Sequence, residues 1–220
     1  MTKSLLSAKQ KQFLNFIASE KKIFQPFYLT GGTVLSEYYL KHRYSEDLDF
    51  FSESEFESRD ITLFLKSNKK KFGNPAIDFT QSFNRNIYQL LYPQNKVLKV
   101  EFTYFPFKRI EKGLKVNNIS IDSLLDITVN KLFTIHQNPR GRDYFDLYAI
   151  NRKKEFPIET LIKLARIKFD TNIDLLQLGS NMVKVGKLLD DPILKKKIPL
   201  KKIEEYYIFE AKKLKTKLIK

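Results

Sequence analysis

Two carboxylates spaced two residues apart, preceded by a pair of glycines, are the part of this chain that points most directly to chemistry. Asp47 and Asp49 lie on either side of Leu48, in a segment whose alternation of polar and apolar residues predicts a strand. Successive side chains of a strand point to opposite faces, so Leu48 and Phe50 enter the core and both carboxylates share the other face. About 7 Å of strand separates the two, which lets both bind the same one or two divalent ions.

The two glycines, Gly31 and Gly32, follow a short apolar segment over 27–30 that predicts a buried strand. Helical spacing resumes at Thr33, so the glycines are expected in a strand-to-helix turn with no side chain to block a ligand. A helix N-terminus at this place offers free backbone N–H groups to a phosphate. Together with the carboxylates, this pattern suggests metal-assisted transfer from a nucleoside triphosphate.

The longer stretch of sequence around these residues resembles the motifs of a known family. Gly-Gly, a helix and then Asp-x-Asp is similar to the signature of the polymerase-beta-like nucleotidyltransferase superfamily. Leu-Thr-Gly-Gly-Thr at 29–33 and His-Arg-Tyr-Ser-Glu-Asp-Leu-Asp-Phe at 42–50 resemble the AbiEii/AbiGii nucleotidyltransferase toxin family. The resemblance implies an enzyme that needs Mg²⁺ and an NTP, with Mg²⁺ held by Asp47 and Asp49 and the triphosphate cradled by Gly31, Gly32 and Thr33.

By the same resemblance, the nucleotide goes from the NTP to an acceptor, in some relatives the 3′ end of tRNA. The chain would be the toxin of a toxin–antitoxin pair, so RNA and an antitoxin protein are its expected partners. Two other functions stay open. One is a nucleotidyltransferase that modifies a protein or a small molecule, and the other is a non-catalytic nucleic-acid-binding protein on the same fold.

The family resemblance also implies a third carboxylate beside the first pair. Glu101 lies in an alternating segment over 97–104, which predicts a strand with Leu98, Val100 and Phe102 on its apolar face. We predict Glu101 as the third metal ligand or general base. Asp78 is the competing candidate, and an ordinary exposed glutamate is the alternative for Glu101.

A second block of sequence resembles the family's downstream motif, a helix lysine followed by Arg-Asp-x-x-Asp-Leu. The resemblance implies that Lys131 neutralises the triphosphate and that Asp143 helps to order the site. The alternatives are that Lys131 is a solvated, exposed helix residue and that Asp143 is a helix N-cap, with Asp146 favoured by the helix dipole. Arg140 and Arg142 are candidate phosphate or RNA contacts, or ordinary surface arginines.

Composition limits the class of protein. The chain has 220 residues, 42% of them apolar, which is ample for a buried core. It has no cysteine, which excludes disulfides and thiolate metal sites and fits a reducing compartment, so a cytoplasmic protein is expected. No signal peptide or apolar run of membrane-spanning length is expected from the sequence.

The net charge of +15 is concentrated toward the C-terminus, where ten lysines and three glutamates follow Pro192. A helix predicted from Leu200 places Ile203, Tyr207, Leu214 and Leu218 on or near one face, with the lysines around them. These lysines would form an electrostatic footprint for an RNA backbone. The alternative is a solvated face on a terminal packing helix.

The predicted fold is α/β or α+β, a nucleotidyltransferase-type mixed sheet flanked by helices. We expect the nucleotidyltransferase core over residues 1–118 and a helical C-terminal region over 119–220 that completes the cleft. Strands are predicted at 27–30, 48–51, 77–83, 87–92 and 96–105. Helices are predicted at 9–22, from 33, within 58–71, and at 123–136, 143–152, 158–169, 174–189 and 200–218.

Overall fold

The computed structural model describes residues 4–187, 192–195 and 198–218, and seven strands within these residues form one mixed sheet. The strands are β1 (Phe27–Thr30), β2 (Leu48–Ser52), β3 (Ala76–Ser82), β4 (Arg85–Tyr92), β5 (Lys96–Tyr104), β6 (Lys115–Val116) and β7 (Ile119–Ile121). Their order in the sheet is β3-β4-β5-β2-β1-β7-β6. β2 is parallel to β5 and β1 is parallel to β7, whereas the other neighbouring pairs are antiparallel.

The helices of the described residues are α1 (Ala8–Ser19), α2 (Lys21–Phe24), α3 (Gly31–Val34), α4 (Ser58–Asn68), α5 (Leu124–Gln137), α6 (Gly141–Lys153), α7 (Ile158–Phe169), α8 (Leu175–Met182) and α9 (Leu200–Leu218). A π-helical segment, Leu35–Leu40, continues α3. Short 3₁₀ turns cover Lys69–Phe72 and Val185–Lys187. The five strands predicted from the sequence are therefore present, whereas the short β6 and β7 were not predicted.

One face of the sheet is packed with aromatic and aliphatic side chains, as the alternation predicted. Leu48 and Phe50 of β2 are 0% and 1% exposed, and Val100 and Phe102 of β5 are fully buried. The rings of Phe50 and Phe102 stack with centroids 5.0 Å apart. Offset ring pairs of this kind add to the hydrophobic gain from burial. The polar residues between them therefore face the other side of the sheet.

The described residues divide into two compact units. The sheet unit contains Met1–Tyr39, Ser45–Lys108 and Lys112–Ser123, and the helical unit contains Leu40–Tyr44, Arg109–Glu111 and Leu124–Lys220. The last strands of the sheet, β6 and β7, reach Ile121, and α5 then begins the helical unit at Leu124. No helix of the described residues combines the length and apolar character needed to cross a membrane.

A buried ion pair fastens the helical unit internally. Lys168 of α7 donates to Asp126 of α5 at 2.7 Å, and the two side chains are 1% and 0% exposed. The same carboxylate accepts from the backbone N–H of Ile110 at 2.8 Å, so it also holds the segment Arg109–Glu111. A buried charge is tolerated when it is paired and hydrogen-bonded in this way.

The predicted apolar stripe of α9 is confirmed for three of its four residues. Ile203 and Tyr207 are fully buried and Leu214 is 2% exposed. The side chain of Leu218 lies outside the part that the structure describes. Tyr207 also donates its hydroxyl to the carbonyl of Tyr144 at 2.9 Å, so α9 is attached to α6 by a hydrogen bond as well as by packing.

Candidate active site

The register between β2 and β5 brings two of the predicted carboxylates side by side. Asp49 is directly opposite Glu101 in the parallel pairing, and Asp47 immediately precedes β2. Residues at paired positions share a face, so Asp47, Asp49 and Glu101 all lie on the side opposite the aromatic core. We call this side the polar face; β5 adds Lys99 and Thr103 to it, and β4 adds Arg85 and Gln89.

Gly31 lies against the second carboxylate. A Cβ added at this position would be 2.5 Å from Oδ2 of Asp49, far inside any normal contact. The backbone of Gly31 has φ +76°, a left-handed conformation that glycine adopts without strain. Helix α3 begins at Gly31 itself, directly after β1, so the predicted turn is shorter than expected: the glycines occupy the first helical turn. The conformation at this position therefore requires glycine, and a larger residue would also displace the Asp49 carboxylate.

Thr33 is bound to the backbone beside the first carboxylate. Its side-chain hydroxyl donates to the carbonyl oxygen of Asp47, and the residue is only 2% exposed. This contact fixes the chain at the start of β2. The phosphate-cradling role predicted for Thr33 stays a prediction, and the observed contact is one that positions Asp47.

Glu101 is held by basic and hydroxyl groups of the polar face. Arg85 donates through Nε to one carboxylate oxygen at 2.6 Å and through a terminal nitrogen to the other at 2.7 Å. Thr103 donates to the first oxygen at 2.9 Å, and Nζ of Lys99 lies 3.5 Å from the second. Burial alone would raise the pKa of Glu101, but the Arg85 hydrogen bonds and charge, with Thr103 and Lys99, hold it below the ordinary value.

Lys99 connects the carboxylates on this face, because its ammonium also lies 3.2 Å from Oδ2 of Asp47. Both of these side chains are 32% exposed, so the pair is open to water and to ligands. The competing candidate for the third carboxylate, Asp78, is on β3 and pairs with Gln89 of β4. At roughly 4.8 Å per strand, three strand spacings put Asp78 about 14 Å from β2, so it does not lie with the pair.

Asp47 and Asp49 have the chemistry that a magnesium ion requires. Mg²⁺ in nucleotide enzymes is usually bound by one or two carboxylates together with phosphate oxygens of the substrate. Among the described residues, no three or more histidine, aspartate or glutamate side chains are grouped so that they could hold a metal. The residues present therefore fit an ion held by two carboxylates and the phosphates, next to the partly exposed backbone of Gly31 and Gly32.

Within the helical unit, Lys131 forms ion pairs with the two aspartates of the second motif block, Asp143 and Asp146. Its Nζ is 2.6 Å from Asp143 and 2.7 Å from Asp146. Both carboxylates are 0% exposed and Lys131 is 8% exposed. The interpretation of Lys131 as an exposed helix residue is therefore wrong, because the helix presents it to buried charges and not to water. Its predicted role on the triphosphate stays a prediction.

Two residues of the first motif block, His42 and Arg43, complete this buried cluster. Arg43 donates to both oxygens of Asp146, at 2.6 and 2.9 Å, and Nε2 of His42 donates to the same carboxylate at 2.7 Å. Burial would raise the pKa of Asp146, but Lys131, Arg43 and His42 together hold it well below the ordinary value. The sequence predicted no partners for His42 and Arg43, although these two residues lie in the first motif block and Asp146 lies in the second.

Asp143 is not a helix N-cap. Arg140 occupies that position, and Asp143 lies in the first turn of α6. Arg140 donates to Asp143 at 2.9 Å from a side chain that is 48% exposed. Burial would raise the pKa of Asp143, whereas Lys131 and Arg140 hold it below the ordinary value. Arg142 is partly exposed, and its predicted contact with phosphate or RNA stays a prediction.

The mixed sheet with a glycine-led helix against an Asp-x-Asp strand is that of a nucleotidyltransferase. The crystal structure of JHP933 from Helicobacter pylori aligns with a TM-score of 0.59 at 21% identity, over 98% of this chain and 95% of that chain. Another crystal structure from H. pylori, of a protein assigned as a nucleotidyltransferase, aligns with a TM-score of 0.60 at 22% identity, over 97% of both chains. At sequence identities this low, the structural similarity shows that these proteins share a fold.

The chain belongs to the AbiEii family, because the family model for the nucleotidyl transferase AbiEii toxin of type IV toxin–antitoxin systems matches residues 12–215. Uncharacterized protein aq_aa25 from Aquifex aeolicus (strain VF5) is 30% identical over 174 residues, which cover 77% of this chain and 78% of that protein. The predicted family, the α/β fold class and the nucleotidyltransferase class are thereby confirmed.

Proposed function

We propose that this nucleotidyltransferase moves a nucleotide from an NTP to RNA in the presence of Mg²⁺, with the 3′ end of tRNA as acceptor. The observation that carries the proposal is the close approach of the Asp49 carboxylate to the Gly31 backbone, with Asp47 held immediately before β2 by Thr33. The family is described as a toxin of toxin–antitoxin systems, and we therefore propose a toxin with a cognate antitoxin.

In this proposal Asp47 and Asp49 hold the metal. When bound, Mg²⁺ supplies a positive charge that neutralises the phosphates and lowers the pKa of the attacking hydroxyl. Gly31 and Gly32 are both partly exposed and leave space for phosphate oxygens. Thr33 keeps the Asp47 backbone fixed, so that the carboxylates are placed before the substrate arrives.

Glu101, Lys131 and Asp143 have proposed roles that depend on the family resemblance. Glu101 is proposed as a third ligand or general base, although its lowered pKa makes it a weak base near neutral pH. Lys131 and Asp143 are proposed to bind and order the triphosphate. An effect of Lys131 on NTP affinity, measured in a variant that remains folded, is the test of that role.

The RNA acceptor is supported by the distribution of basic residues. Among the described side chains after Pro192, all six lysines are exposed: Lys195, Lys201, Lys202, Lys212, Lys213 and Lys215. Lys196 and Lys197, which belong to the same predicted footprint, lie outside the described residues. Exposed lysines attract a phosphate backbone regardless of its sequence, and this attraction weakens as salt is added.

The proposal is tested by incubating the protein with Mg²⁺, NTPs labelled at the α-phosphate and total RNA. Asp47→Asn and Asp49→Asn keep the side-chain shape but lose the metal-binding charge, so each should reduce transfer by at least about 100-fold without unfolding the protein. Asp78→Asn is the matched control: it makes the same substitution on the same sheet, three strands from β2, and should leave transfer unchanged.

The outcomes separate the parts of the proposal. Full transfer by either of the first two variants would contradict the assigned site. Label that appears in protein or in small molecules, and not in RNA, would contradict the RNA acceptor and keep the enzyme class. A wild-type protein that binds RNA but neither Mg²⁺ nor NTP would contradict the proposed reaction.

A further inference from the structure

The turn between β3 and β4 presents an aromatic ring to water. Phe83 is 96% exposed and has φ +52°, a left-handed conformation that is rare for a residue with a side chain. It contributes almost nothing to the core, and the exposure of an apolar ring to water is unfavourable. Such a ring gains free energy when a flat partner covers it, and an unpaired nucleobase is a partner of this kind.

This turn adjoins the polar face. Arg85, the first residue of β4, pairs with Thr103 of β5, two residues beyond Glu101. The backbone N–H of Tyr104 donates to the carbonyl of Asn84 at 2.9 Å, which fixes the turn to the end of β5. Phe83 is therefore attached two residues from the arginine that contacts Glu101, and Glu101 is the direct neighbour of Asp49.

Arg85 is well suited to bind a phosphate. Its guanidinium is held in a fixed plane by the two-point contact with Glu101, which uses two of its five N–H donors. The side chain is still 48% exposed. Burial would lower the pKa of Arg85, but its hydrogen bonds to Glu101 and the charges of Glu101, Asp49 and Asp47 raise it. An arginine fixed by a carboxylate while half open to water can bind an incoming phosphate without losing further side-chain freedom.

The sheet order separates the two ends of the polar face. β1 lies on one side of β2 and carries Gly31 at its end, whereas β5 and then β4 lie on the other side. The carboxylates of β2 are thus flanked by the glycine pair, which leaves space for the triphosphate, and by Arg85 with Phe83. In a transfer reaction the donor and the acceptor approach the reacting phosphate from different sides.

We propose that Phe83 and Arg85 bind the terminal nucleotides of a single-stranded RNA acceptor. Phe83 stacks on an unpaired base, Arg85 binds the adjoining phosphate, and Glu101 acts as a positioning residue for Arg85. This inference rests on the proposed transfer to RNA and names the part of the polar face that receives it. The shared chemistry is a nucleobase next to a phosphate, and the experiment separates the acceptor end from the NTP as its source.

The first test measures steady-state transfer with RNA and NTP varied in turn. Phe83→Ala should raise the KM for RNA by about 5- to 150-fold, the range that corresponds to the loss of one stacked base, and leave the KM for NTP unchanged. Phe83→Tyr keeps an aromatic ring and should stay near wild type. Ile167→Ala removes another exposed apolar side chain, 78% exposed on α7 and outside the lysine-rich segment after Pro192, and serves as the matched control.

The second test needs no catalysis. The chain has no tryptophan, so Phe83→Trp introduces a single tryptophan reporter, and Ile167→Trp, on the exposed face of α7, gives the matched control. A single-stranded oligoribonucleotide should quench the reporter at position 83, whereas the same strand in a duplex, inorganic triphosphate and NTP should not. Quenching by NTP alone, or equal quenching of the two reporters by the single strand, would overturn the proposal.

The positioning role of Glu101 has its own readout. Glu101→Gln weakens the charged contact to Arg85, and Arg85→Ala removes it, so both variants should raise the KM for RNA and leave the KM for NTP unchanged. A KM for RNA that stays at the wild-type value in Glu101→Gln would overturn this role. If wild-type protein transfers nothing to RNA, the proposed function fails; if it does and Phe83→Ala has a normal KM for RNA, only this inference fails.

Discussion

Replacing Lys131 with methionine should destabilise the protein strongly. Methionine has a similar length and no charge, so Lys131→Met removes the ammonium without opening a large cavity. It leaves Asp143 and Asp146, both 0% exposed, without the cation that joins them at 2.6 and 2.7 Å. Two neighbouring carboxylates then remain buried with fewer opposing charges.

The magnitude follows from what remains around the two carboxylates. Removing one member of a buried ion pair costs about 3–5 kcal/mol, because the remaining charge stays away from water without its partner. Asp146 keeps Arg43 and Asp143 keeps Arg140, so we expect the lower end, about 3 kcal/mol. For a chain of this length, that corresponds to a fall in melting temperature of about 6–12 °C.

Urea and thermal unfolding at pH 7, followed by circular dichroism, measure this loss. Lys71→Met is the matched control, because Lys71 also forms a 2.7 Å ion pair, with Glu20, but the two side chains are 55% and 25% exposed. Exposed pairs contribute about 0–1 kcal/mol, so the control should unfold almost like wild type. A loss of less than about 1 kcal/mol in Lys131→Met would refute the reasoning that this cluster holds the helical unit together.

Two further predictions concern acid and the glycine contact. Burial opposes the ionisation of Asp143 and Asp146, but the surrounding cations hold the pKa of each carboxyl below its ordinary value. The stability that these two carboxylates give to the fold is therefore complete above about pH 4 and is lost as the pH falls further. The difference in melting temperature between wild type and Lys131→Met should therefore be constant from pH 7 to about pH 4 and shrink below it; a difference that grows in acid contradicts this. Gly31→Ala should displace Asp49, weaken Mg²⁺ binding and abolish transfer, and the strained φ should cost about 1–2 kcal/mol of stability. Gly179→Ala, where an added Cβ meets nothing within 4 Å, should keep full transfer; normal transfer by Gly31→Ala would show that the contact is not needed.

The strands that form the polar face were predictable from the sequence, but the order in which they pair was not. Alternation over 47–51 identified the β2 strand and which side chains it buries, because that information lies in adjacent residues. The choice between Glu101 and Asp78 depended on which strand pairs with β2. Strand pairing is set by contacts between distant segments, so both carboxylates remained candidates until the register was seen.

The alternative that Lys131 is an exposed helix residue was wrong for a similar physical reason. A lysine on a helix is usually solvated, and propensity carries no information about partners elsewhere in the chain. Asp143 is 12 residues away from Lys131, and Arg43 reaches Asp146 across 103 residues. Burial of a charge becomes acceptable only when such partners are assembled together, which no local pattern reveals.

The basic residues described above differ in burial and pairing, and two groups of them can be distinguished. Lys131, Lys168 and Arg43 are buried and bound to aspartates, so their charge serves the fold and is not exposed to an RNA backbone. The lysines described after Pro192 are exposed, and in the proposed reaction they would attract RNA without recognising any nucleotide. Arg85 belongs to neither group, because it is paired with Glu101 and yet half exposed beside Asp49. A net charge of +15 would therefore account for affinity and its salt dependence, whereas selection of the acceptor end would depend on Arg85 and on the ring next to it.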